Sequence, residues 1–402
     1  MSQPPRTPVR PPPRPRTADA APIAVYVHWP YCARICPYCD FNVVRDRGRS
    51  DQQAMLAGAI LADLQGHRSL TGPRKLVSIY LGGGTPSLMP PEWAEAIIGM
   101  ARNLWPTDAP VEVTLEANPT DAEAGRFAAF AQAGVNRLSL GLQALDDAAL
   151  AFLGRNHTAR VGVRAAAIAA AAFPRVSLDL IYARPGQTPW AWAAELETAT
   201  VLGAEHLSPY QLTIEDGTAF GRAVRQGRWA PPDPDTGAAL YQTTQDVLTA
   251  RGFEAYEVSN HARGEAARSL HNLAYWRGFD YVGVGPGAHG RLTLDGARTA
   301  VRAAPKPADY IQSVRDSDLG WGEQETLSLR QAAEERLLMG LRTLEGVELR
   351  ELQPLELHAG HARVQELGEA GLIRLQDGRL IATAEGRLVL DRVTLELTRA
   401  AA

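Results

Sequence analysis

From Ala24 onward, short apolar segments alternate with stretches of helical periodicity, and no other feature restricts the fold of this chain as strongly. The strand segments are AVYVHW (24–29), LVSIYL (76–81), VEVTLE (111–116), RLSLGL (137–142), VSLDLIY (176–182), HLSPYQLTI (206–214), FEAYEV (253–258) and YVGVG (281–285). Helical periodicity fills 51–66, 91–104, 121–133, 158–173 and 189–202. Alternation of this kind means βαβ units, right-handed crossovers and a parallel sheet. Six or more units in succession favour a barrel or partial barrel, whose chemistry sits at the C-terminal ends of the strands. The polar residues fall accordingly. A cysteine loop follows the first strand and GGGTP (82–86) the second; Glu116 closes the third, Gln143 follows the fourth, and Asp179 lies within the fifth.

After about residue 306 the pattern changes. Helical QAAEERLLMGLR (331–342) and HAGHARVQELGEAGLI (358–373) precede IRLQDGRLIAT (373–383), where Asp377-Gly378 between apolar alternations marks a hairpin turn. Helices followed by a hairpin suggest a winged-helix-like α+β module over 306–402, with the α/β barrel domain at 23–305. Residues 306–402 carry 12 basic and 17 acidic side chains, a balance of -5, so packing or partner docking is expected there and nucleic-acid binding is not. Residues 1–22 hold eight prolines, four arginines and one acid, a composition that reads as an extended, disordered tail. No apolar run approaches the roughly 18 residues that span a bilayer, and the N-terminus lacks the apolar core of a secretory signal. A cytoplasmic, reducing location is expected; peripheral membrane contact and a homodimer are left open.

All the thiols lie in YCARICPYCDF: Cys32, Cys36 and Cys39, spaced C-x3-C-x2-C. Three clustered cysteines in 402 residues are no disulfide framework. Structural zinc wants four ligands, and His28, four residues before Cys32 on an apolar strand, reads more simply as a packed side chain. Iron–sulfur clusters are held by thiolates, usually four. A cluster with three leaves one iron open to a small molecule. GGGTP lacks the Gly-Lys-Ser/Thr of a phosphate loop, but its consecutive glycines let backbone approach a ligand closely.

The cysteine spacing after a first strand resembles the radical S-adenosylmethionine superfamily, in which the open iron of a [4Fe-4S] cluster chelates the cofactor. YVHWPYCARICPYCDF, GGGTPS, LEANP, LSLGLQ and DLIYARPGQT narrow the resemblance to oxygen-independent coproporphyrinogen III oxidase and the related HemW-type heme chaperones. It implies metal ligation by Cys32, Cys36 and Cys39, and S-adenosylmethionine contacts from Tyr26, Gly83, Gly84, Thr85, Glu116, Gln143, Arg155 and Asp179. The chain departs from the family where Ala183-Arg184 replaces a usual Gly-Leu pair after DLIY, and where Trp29 and Tyr31 replace commoner choices.

Two features separate the relatives. The oxidase carries Gly and a further Cys directly after its third cluster cysteine; here Asp40 and Phe41 stand there. HNLAYW (271–276) matches the H-N-x-x-Y-W signature of the chaperones, and the resemblance makes His271 a candidate heme ligand, with Asn272, Tyr275 and Trp276 in the heme motif. The expected function is a heme chaperone delivering heme to respiratory client proteins, without a catalytic residue of its own. The alternatives are the radical oxidative decarboxylase and a non-catalytic partner-docking protein whose cluster senses iron or redox state.

Overall fold

A computed structural model describes residues 21–400. The expected tail at 1–22 lies outside them except for Ala21 and Pro22. Twelve strands form one sheet: β1 (Pro22–Trp29), β2 (Lys75–Gly83), β3 (Glu112–Ala117), β4 (Arg137–Gln143), β5 (Arg175–Tyr182), β6 (His206–Gln211), β7 (Glu254–Ala255), β8 (His261–Ala262), β9 (Asp280–Val284), β10 (His289–Leu294), β11 (Ala297–Ala303) and β12 (Trp321–Thr326). Their order is β12-β11-β10-β9-β1-β2-β3-β4-β5-β6-β8-β7. The run β9-β1-β2-β3-β4-β5-β6 is parallel and the flanks are antiparallel. This is the expected partial barrel: β1 pairs with β9 on its far side, and β6 and β9 are not joined.

The parallel strands are buried on both faces, but their inner face is polar. Inter-strand register aligns Ser78 with Glu112, Thr114 with Arg137, Glu116 with Ser139, Gly141 with Asp179, and Asp179 with Ser208. The outer face feeds a core of Ile79, Leu81, Val113, Leu115, Leu138, Leu140, Leu178 and Leu180 against the helices. Those helices start on the expected chemistry. Thr188 caps Pro189–Ala199 by accepting from Ala191 N (3.2 Å), and Asp233 caps Pro234–Ala250 by accepting from Thr236 N (2.9 Å), each with proline in the first position.

Three expectations shift. HLSPYQLTI is strand only to Gln211, and FEAYEV only at Glu254–Ala255, where it forms an antiparallel edge with β8. Pro209 lies within β6 without breaking it: β8 pairs only with His206 and Leu207, so on that side the proline sits at an edge and needs no donor. Third, residues 307–326, counted with the C-terminal module from sequence, belong to the barrel. Helix Pro307–Ser317 packs on helix Ser50–Thr71, where Tyr310 donates to Asp63 Oδ2 (2.7 Å) and Gly320 N to Oδ1 (3.0 Å), and β12 extends the sheet.

The second core gathers residues 333–397 around Leu337, Leu341, Leu352, Leu380 and Leu397. Its hairpin, Ile373–Gln376 and Arg379–Ala382, turns at Asp377 and Gly378, both left-handed at φ 50° and 74°. Arg336 donates to Trp276 O (2.9 Å), Arg342 lies 4.7 Å over the Trp276 ring, and Arg277 donates to Glu345 (2.9 Å), so the module docks on HNLAYW.

Candidate functional site

A cavity of about 500 Å³ opens at the C-terminal ends of the strands, and its lining includes Cys32, Cys36, Cys39, Gly83, Gly84, Thr85, Glu116, Gln143, Arg155 and Asp179. Every residue expected at the cluster or the cofactor is there except Tyr26. Tyr26 stands in register with Tyr80 on the neighbouring strand, its hydroxyl bonded to His28 Nδ1 (3.0 Å) and its ring against Tyr80. The side chain that reaches the cavity in its place is Tyr80, one strand over.

The glycines are needed for proximity. Gly83 has φ 105°, and a Cβ there would meet the His28 ring at 2.5 Å; one on Gly84 would meet the Pro30 backbone at 2.7 Å. With the chain so placed, Gly83 N donates to Glu116 Oε2 (3.0 Å) and Tyr80 OH to Oε1 (2.8 Å). Burial pushes the Glu116 carboxyl up to about 7, helped by nearby Asp179 and opposed by the two hydrogen bonds. Burial likewise raises Asp179 to about 6, against the bond from Ser139 Oγ (2.8 Å). Two buried carboxyls, one cavity wall apart, form a receptor for a cation or for hydroxyl donors.

Arg155 faces them. It donates to Cys36 Sγ (3.2 Å), to Gly141 O (3.2 Å) and to Asn118 Oδ1, while its Nε is buried without a partner. A buried orphan donor on a guanidinium suits an incoming carboxylate. Gln143 reaches the cavity from a left-handed backbone, φ 67°.

The thiols are all free. Thr85 donates to Cys32 Sγ (3.6 Å). Burial raises the Cys32 thiol and, with the neighbouring sulfurs, takes Cys39 to about 11. Among the described residues no three His, Cys, Asp or Glu side chains come together around a single ion. Three thiols of one loop lining one cavity are a donor set that suits an iron–sulfur cluster. The iron charge would also repay the cost of ionising buried sulfurs.

The Ala183-Arg184 departure falls at a turn in a conformation that suits glycine. Ala183 adopts φ 60°, the left-handed region that favours glycine. Arg184 is buried and paired with Glu195, which accepts from Leu145 N (2.7 Å) and so ties this loop to the one carrying Gln143.

HNLAYW stands elsewhere. Helix Leu270–Trp276 closes the opposite end of the barrel, capped by Ser269, with His271 N donating to Glu112 Oε1 (3.0 Å). The His271 ring is buried, Nδ1 bonded to Ser78 Oγ (2.9 Å) and Nε2 to Tyr275 OH (2.7 Å), and burial holds its pKa down to about 3. Both ring nitrogens are occupied, so the free axial ligand expected from the sequence is not available in this conformation. Asn272 and Trp276 are partly exposed.

The chain matches the family model described as Radical SAM superfamily over residues 26–199 and that of the HemN C-terminal domain over 327–389. It is 40% identical over 386 residues to the bovine Radical S-adenosyl methionine domain-containing protein 1, mitochondrial, covering 93% of this chain and 87% of that one. Escherichia coli Heme chaperone HemW is 37% identical over 302 residues, 73% of this chain and 78% of the relative. Coproporphyrinogen III oxidase (HemN) from Escherichia coli superposes with TM-score 0.77 across 94% of this chain and 90% of that one, at 20% identity, a likeness of fold alone. Fold and cavity together define the radical S-adenosylmethionine class. Within it, the chain belongs to the HemW-type branch of the family.

Proposed function

We propose that this protein is a heme chaperone: it binds heme and passes it to heme-dependent respiratory proteins, on a scaffold holding a [4Fe-4S] cluster and S-adenosylmethionine. The likeness to proteins named Heme chaperone HemW carries this reading. Phe41 in place of the oxidase's extra cysteine supports it against the decarboxylase. In the cavity, Cys32, Cys36 and Cys39 would hold the cluster, whose open iron supplies a chelation point for the cofactor's amino acid end. Glu116 accepts from the ammonium, Arg155 pairs with the carboxylate, and Gln143 and Asp179 bond ribose hydroxyls. A cytoplasmic location is part of the same proposal, tested by cell fractionation; among the described residues no helix is long and apolar enough to cross a membrane.

For heme, a groove of about 490 Å³ beside HNLAYW supports the reading: Leu270, Phe279, Val77 and Pro110 offer apolar surface there. Hemin titrated into the cluster-reconstituted protein is expected to give a saturable Soret shift at one heme per chain. No coproporphyrinogen III turnover is expected in the same preparation. Leu270→Glu, which places a charge in the groove, should weaken uptake about tenfold or more. His271→Ala should leave the shift in place, since its nitrogens are already bonded. Porphyrinogen oxidation without saturable heme uptake would make this an enzyme instead.

The carboxyls predict a pH dependence for the cofactor. At pH 6 Glu116, held near 7, is largely protonated in the free protein and must release its proton to receive an ammonium. Affinity for S-adenosylmethionine therefore rises with pH, about tenfold between pH 6 and 8, and isothermal titration should detect proton release over that interval. A flat profile would mean that Glu116 does not meet the cation.

A further inference from the structure

HNLAYW enters the barrel from the end opposite the cavity, yet its histidine finishes directly against a residue of the cavity wall. Tyr80 is the contact. It lines the cavity, its hydroxyl donates to Glu116 Oε1 (2.8 Å), and its ring stacks on His271 at 4.8 Å between centroids with planes 28° apart. His271 is itself immobilised by Ser78 Oγ (2.9 Å), by Tyr275 OH (2.7 Å) and, through its backbone N, by Glu112 (3.0 Å). Tyr275 in turn packs on Tyr281 at 4.4 Å.

A phenol can reach one chosen carboxylate oxygen only if its ring is fixed in position and plane. Here the fixed surface is an imidazole that spends both nitrogens on its own anchoring. Glu116 thus has one donor set by backbone, Gly83 N, and one set by side-chain packing, Tyr80 OH. Removing the imidazole opens a hole under Tyr80 and lets the ring turn away, leaving the second oxygen of Glu116 unpaired.

We propose that His271 is a positioning residue for the S-adenosylmethionine site: through the stacked Tyr80 ring it holds the Glu116 carboxylate in the orientation that receives the cofactor ammonium. The identity of the ligand rests on the function proposed above; the linkage between HNLAYW and the cavity rests on the contacts alone. It gives the segment a task other than axial ligation and joins it physically to the cavity.

The test is equilibrium binding of S-adenosylmethionine to the full-length, cluster-reconstituted protein under anaerobic conditions, with thermal stability measured beside it. His271→Ala should weaken binding about tenfold, the size of one hydrogen bond to a charged group. His271→Phe keeps a ring beneath Tyr80 but loses both nitrogen bonds, so stability should fall while affinity stays within about threefold of wild type. The double variant His271→Ala with Tyr80→Phe should bind no more weakly than His271→Ala, because both act through one contact. Should His271→Ala fail to fold, Ser78→Ala, which frees one tether, should weaken binding about twofold to threefold and lose that effect in the Tyr80→Phe background. Wild-type affinity in a folded His271→Ala, His271→Phe binding as weakly as His271→Ala, or additive losses in the double variant would each overturn the inference alone. A wild-type protein that binds no S-adenosylmethionine would overturn the cofactor reading and this one with it.

Discussion

Cys36→Ser protein, reconstituted anaerobically with iron and sulfide, is expected to retain almost no cluster iron and to bind no S-adenosylmethionine. Cys32→Ser and Cys39→Ser should behave alike. The three thiols share one cavity, and no other cysteine exists in the chain to replace a lost one. With three thiolates the set is already one short of the usual four, so losing another leaves two irons without protein ligands. Cys36 is partly exposed and its sulfur accepts from Arg155 (3.2 Å), a bond that a serine hydroxyl can also accept, so the cluster-free variant should match the stability of cluster-free wild type within about 0.5 kcal/mol. Equal iron content in wild type and variant would refute ligation by these residues. Equal iron loss with collapse of the fold would instead make the loop a structural element.

The largest effect on stability should come from Glu112→Ala, at about 3–5 kcal/mol. Glu112 has no exposed side-chain surface, and it meets Arg137 (3.6 Å, 2% exposed) and Arg175 (2.8 Å) while accepting from His271 N (3.0 Å). Deleting the carboxylate strands the Arg137 guanidinium in the barrel interior with only Ala267 O and Ser177 Oγ for company. Glu112→Gln keeps an acceptor for His271 N and should cost less. Chemical denaturation of the cluster-free protein measures both, and a loss below about 1 kcal/mol for Glu112→Ala would mean that water replaces the carboxylate there.

Much of the cavity was legible because its residues stand at strand ends. Glycine, cysteine and carboxylate types at the C-terminal ends of successive strands can be read from linear order, and Cys32, Gly83, Glu116, Gln143 and Asp179 do meet in one cavity. Tyr80, Ser139 and Tyr210 were missed, though a signal existed: S-x-Y, S-x-G, S-x-D and S-x-Y repeat at period two in β2, β4, β5 and β6, marking a polar inner face. Tyr26 shares its level with Tyr80 but bonds its hydroxyl to His28, and period two does not say which of two neighbouring tyrosines lines the cavity. His271 shows the limit most clearly. A histidine among aromatics has the same sequence whether it waits for a ligand or is spent on Ser78 and Tyr275.

Sequence alone settled the alternation of the first six strands with five helices, the hairpin at Asp377-Gly378 and the presence of a three-thiol loop, since propensity, periodicity and turn chemistry are local. It also revealed the family, through motifs whose spacing is local too. Tertiary structure decided the rest: that residues 307–326 complete the barrel sheet, that β6 and β9 do not join, and that burial raises the carboxyls of Glu116 and Asp179. Each of these depends on contacts between residues far apart in the chain, whose desolvation and register no local pattern encodes.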